Sequence, residues 1–127
     1  ARSVTAINYA LDFLYNTTNL TFVFIMNKPE ITSAELIRGK LNSETARMPW
    51  KELQRHFASG YTLFVDQQLD LIEVAFQFEQ DNAKQIEIWL NSQLIQQVSN
   101  DQAREWFNDD ASLWTSVVKP WVLIQQP

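Results

Sequence analysis

The 127-residue chain has no cysteine, one histidine, two glycines and four prolines. Without cysteine there are no disulfides, no thiolate metal sites and no thiol nucleophile. The compartment stays open on that count, because cysteine-free domains occur everywhere. A single histidine, His56, rules out a multi-histidine metal centre, and a Ser-His-Asp triad would have to use His56 itself. Gly39 and Gly60 lie far apart, so no glycine-rich loop is available to cradle a phosphate. Positive charge is also scarce. Ten Lys and Arg face fifteen Asp and Glu, a net charge of -5, which is a poor match for nucleic acid. No apolar run approaches the roughly 20 residues needed to cross a bilayer.

What is present is a folded domain's composition, 46% hydrophobic with five tryptophans. At this length one core suffices without a staple. The distribution is uneven. Residues 1–25 hold two charges, Arg2 and Asp12, and no Gln, Gly, Pro, Trp, Lys or Glu. The break falls at Met26. The expected division is therefore a head, 1–25, and a single α+β domain, 26–127. Two readings of the head stay open: an appendage preceding a natural start at Met26, or an apolar segment, a polar turn and a strand from Leu20 to Ile25. The head has neither the pattern of a secretory signal nor that of a membrane span.

Further on, Thr32-Ser33-Ala34-Glu35 is a capping-box pattern opening a helix over about 33–45. Pro49 suits the first turn of a second helix, with Trp50, Leu53 and Phe57 on one face and Gly60 as its stop. Tyr61 to Val65 reads as a strand and Asp66-Gln67-Gln68 as a turn. From Leu71 to Glu79 the residues alternate, which favours a strand hairpin, although Leu69, Ile72 and Phe76 also fit a helix. Asp81 or Asn82 caps a helix in which Ile86, Trp89 and Leu90 share an apolar face, where burial is the default. Leu94 to Val98 is a short strand. Ser99-Asn100-Asp101-Gln102 is a second capping box, with Ala103, Trp106 and Phe107 inward. Val117 to Ile124 is β-forming, and Pro120 within it argues for an edge or a bulge. The sum is α+β: a small mixed or antiparallel sheet of three to four strands with helices packed mainly on one face.

The segments Glu44-Thr45-Ala46-Arg47, Leu69-Asp70-Leu71 and Pro120-Trp121-Val122-Leu123 resemble a small uncharacterised bacterial family, domain of unknown function 2288. The resemblance covers about residues 38–126. It implies a small soluble bacterial protein and carries no activity, cofactor or catalytic residue; the expected location is cytoplasmic.

Candidate chemistry is thin. Asp66, Asp70 and Glu73 gather near one turn, and carboxylates so placed can hold a hard cation or divide acid and base roles. The commoner use of such aspartates is to shape the turn itself. His56 has the side chain of a general base but no nucleophile pattern beside it. Trp50 and Trp121, each beside a proline at an element boundary, are the expected contact residues for a partner. Arg47 is a plausible clamp on a carboxylate or phosphate, or a surface partner of Glu44. The reading is a non-enzymatic binding or assembly module meeting a protein partner or another copy of itself. No cofactor, metal, membrane or nucleic acid enters it. The rival is a carboxylate-based hydrolase or metal-assisted enzyme around Asp66, Asp70 and Glu73.

Overall fold

A computed structural model of the chain describes residues 31–127. The expected break at Met26 lies outside the described residues. The chain divides into two compact units between Gly39 and Lys40, within its first described helix.

That helix, α1 (Ser33–Glu44), begins as its sequence requires. The Thr32 hydroxyl accepts from the Glu35 amide at 3.1 Å, and Glu35 Oε1 accepts from the Thr32 amide at 3.0 Å. The rest follows in the order β1 (Ala46–Pro49), α2 (Trp50–Ala58), β2 (Thr62–Val65), α3 (Leu71–Glu79), α4 (Ala83–Asn91), β3 (Ile95–Gln97), α5 (Asn100–Asn108), β4 (Ser112–Val118) and β5 (Trp121–Gln125).

Among the described residues five strands, not three or four, make one mixed sheet in the order β1-β4-β5-β2-β3. The β2–β5 pair is parallel and the other three are antiparallel. Two of these strands were not expected: β1, in the link between the first two helices, and the second strand of a hairpin whose turn interrupts the β-forming run over 117–124. Trp114 to Val118 pair with Trp121 to Gln125 around Lys119 and Pro120. Pro120 therefore sits in a turn between two interior strands, and the edge position is corrected. Its missing N–H is harmless there, because a turn residue need not donate to a ladder.

Helices occupy both faces of the sheet, which corrects the one-face expectation. Strand alternation decides which residues go where. Leu113, Val122 and Ile124 meet Trp50 and Leu53 of α2 and Trp106 of α5 in one buried cluster. Leu123 and Leu63, paired in register, point the other way, where α3 packs on β4 and β5. α4 packs on α3 and β3.

The segment 71–79 is a helix, not a strand. Asp70 caps it, its Oδ1 accepting from the Ile72 amide at 2.9 Å. Leu71, Val74 and Ala75 then fall at helical spacing and are buried. The alternation that suggested a strand arises because a helix covered on more than one side has apolar residues nearly all round.

Every helix from α2 to α5 ends in the same way. After α2, Tyr61 N donates to His56 O and Gly60 N to Phe57 O, both at 3.0 Å, with Gly60 at φ 82°. This is the Schellman arrangement, which needs one left-handed residue. After α3, α4 and α5 that residue is Asp81 (φ 55°), Gln93 (φ 61°) and Asp110 (φ 51°). A chain with two glycines closes four such ends with only one of them.

Candidate functional site

A concavity lies on the α3 and α4 side of the sheet. Its floor is Leu63, Val118 and Trp121, and its walls are Phe78, Ile86, Leu90, Gln97 and Pro120. Its volume is about 600 Å³, within the usual range for small-ligand pockets. The β4–β5 turn presents Pro120, the start of β5 presents Trp121, α4 supplies one wall, and the α3–α4 connection supplies Asp81. Tyr61 holds the Trp121 ring edge-to-face at 5.8 Å, which fixes the indole at the groove.

The wall made by α4 is unusual. No residue of α4 is fully buried, yet it carries Ile86, Ile88, Trp89 and Leu90. Leu90 is 46% exposed although it lines the groove, so its expected inward position is corrected. Amphipathic packing normally hides such residues. Around the apolar floor stand Asp81 and Glu87 against Lys119. Among the described residues neither carboxylate is in an ion pair. Asp81 is held at the groove by its left-handed backbone.

Of the two tryptophans expected at a contact surface, Trp121 is in the groove and half-buried. Trp50 is 1% exposed and belongs to the core, its ring against Phe57 and Trp106 at 5.5 and 5.2 Å. The proline before it ends β1 and turns the chain so that the first residue of α2 points inward. Trp50 is therefore corrected from contact residue to packing residue. The two rings stand on opposite faces of the sheet, so no patch joins them.

Arg47 lies on edge strand β1, away from the groove. Its guanidinium rests over Trp114 at 5.9 Å and donates to Ser112 O at 3.4 Å. It pairs with neither Glu44 nor a groove residue in that position.

The three acidic candidates do not form a centre. Asp66 Oδ1 accepts from the Gln68 amide at 2.9 Å, closing its own turn. Asp70 caps α3, and Glu73 Oε2 accepts from Gln77 Nε2 at 2.9 Å. Among the described residues no three acidic or histidine side chains converge as metal ligands would. His56 stands on α2, across the sheet from α3, which carries Glu73. The turn is instead a structural latch. Gln125 Nε2 donates to Asp66 O at 3.0 Å and to Leu69 O at 2.8 Å, tying it to β5.

Reading the sequence missed Leu90, Asp81 and Glu87 as groove residues. Leu90 sits at the expected spacing for burial, but α4 packs mainly on α3 and edge strand β3, and none of its residues is fully buried. Asp81 carried a signal: it precedes a cap residue and follows a helix with no glycine to end it.

The family described as "Protein of unknown function (DUF2288)" matches residues 36–126. The chain is similar to the NMR solution structure of PA1075 from Pseudomonas aeruginosa. Identity is 41%, over 75% of this chain and 86% of that one, with a TM-score of 0.63. No functionally curated protein matches it.

Proposed function

The chain belongs to the DUF2288 family, whose members are described only as proteins of unknown function, and from that premise we propose that it is a binding module without catalysis. Its ligand is a short segment of a protein partner that seats an apolar side chain against Trp121 and Leu90. The observation that supports this is the apolar groove with an outward-facing helix as its wall. Exposed apolar surface gathered around an aromatic anchor is the usual mark of a recognition site. Asp81 and Glu87 at the rim, in no ion pair among the described residues, favour a segment with basic residues beside its apolar anchor.

Selection from a library of short peptides tests the reading. Peptides with a leucine or aromatic anchor flanked by Lys or Arg should be enriched, and their binding should shift the amide resonances of Leu90 and Trp121. Leu90→Glu, on an exposed position, should lower affinity at least about tenfold, the usual weight of a central apolar contact. Enrichment that ignores both anchor and charge, or binding undiminished in Leu90→Glu, would count against the groove. Self-association abolished by the same substitution would replace the partner with a second copy.

A further inference from the structure

The opposite side of the sheet carries a second concavity, between α2 and α5, of about 580 Å³. Trp50, Gln54, Arg55, Phe57, Arg104 and Phe107 line it, and no lining residue is acidic. That is a marked local reversal in a chain with fifteen acids and ten bases. Lys51 adds a third positive charge at the rim, its Nζ 5.3 Å from the Phe107 ring centre.

These cations are lightly committed. Arg55 makes no ion pair among the described residues. Arg104 meets Asp101 at 3.0 Å and Lys51 meets Asp110 at 3.4 Å, both on exposed surface where such pairs hold weakly. Phe107 is 46% exposed beside them, although the helical spacing of α5 marks it for the interior. Beneath lies the Trp50 indole, whose Nε1 is buried with no hydrogen-bond partner among the described residues.

We propose that this groove binds a small organic anion, a carboxylate or phosphate carried on a flat apolar body. Arg55 and Arg104 take the charge, because guanidinium forks match both anions. Phe57 and Phe107 take the apolar body, with the Trp50 indole beneath. This site is separate from the Trp121 groove and stands or falls without it.

The test is titration of the ¹⁵N-labelled full chain with benzoate and with phenyl phosphate, using benzyl alcohol as the uncharged control. The Trp50 indole resonance, assigned through Trp50→Phe, and the Phe107 amide should shift saturably with at least one anion. Response to only one of the two identifies the headgroup and supports the site. Benzyl alcohol should leave both signals in place, and added salt should weaken binding. Arg55→Gln and Arg104→Gln should each weaken it about tenfold while spectral dispersion is kept. The proposal is overturned if benzyl alcohol acts equally, if both Arg variants bind unchanged, or if neither anion moves the Trp50 indole. The last result would mean that the neighbouring Phe57 and Trp106 rings already satisfy that donor.

Discussion

At the scale of single residues, the shortage of glycine has a structural cost. A left-handed position strains any side chain with a Cβ, least so Asn and Asp. Asp81 and Asp110 are thus the tolerable substitutes, and Gln93 (φ 61°) is the poor one. Gln93→Gly should raise stability by about 1 kcal/mol, seen as a higher denaturant midpoint at unchanged slope. An unchanged or lowered midpoint would show that the Gln93 side chain contributes more than its backbone strain removes. Glu35 yields a second expectation. The Thr32 amide, then its hydroxyl, hold the Glu35 carboxyl below its ordinary 4.5. Its contribution to the start of α1 is therefore complete above pH 4.5 and is lost as pH falls through the lower folded value. An NMR titration should give a midpoint under 4.5 for Glu35, and Thr32→Ala should return it upward. Both capping boxes were legible from four consecutive letters, because the interaction they encode spans only those four residues.

At the scale of elements, local signals and tertiary ones part company. The start of α4 at Asn82 and of α5 at Ser99 were readable, since each cap bonds to amides within one turn. The identity of α3 was not. Its alternating apolar residues satisfy period two, and only the Asp70 cap and the two-sided burial favour a helix. Asp70→Ala should cost about 1 kcal/mol, the usual loss for an N-cap, and should expose the amides at the start of α3 to faster hydrogen exchange. If exchange quickens evenly through the protein instead, the effect is not that of a cap. The hairpin of β4 and β5 shows the converse problem. Val117 to Ile124 reads as one strand because its turn consists of only Lys119 and Pro120, too few residues to break a propensity window.

For the molecule as a whole, β5 is the element on which the rest depends. It pairs with β4 on one side and β2 on the other, and Val122, Leu123 and Ile124 are buried on alternating faces. A chain ending at Pro120 should lose cooperative unfolding and near-ultraviolet circular dichroism entirely; retained cooperativity would mean that β2 and β4 can pair without it. Both candidate grooves are products of this arrangement. The Trp121 groove lies between α4 and the strands on one side of the sheet, and the arginine-lined groove lies between α2 and α5 on the other. Composition alone determined that the chain carries no thiol chemistry, no phosphate loop and no multi-histidine centre, since a missing residue type stays missing in any fold. Local spacing determined most helix starts, since a cap is an interaction over four residues. Only the tertiary structure decided that Trp50 is core while Trp121 lines a groove, though both follow a proline. Burial depends on which face of the sheet a side chain leaves from and what packs there, and residues distant in the chain supply that packing.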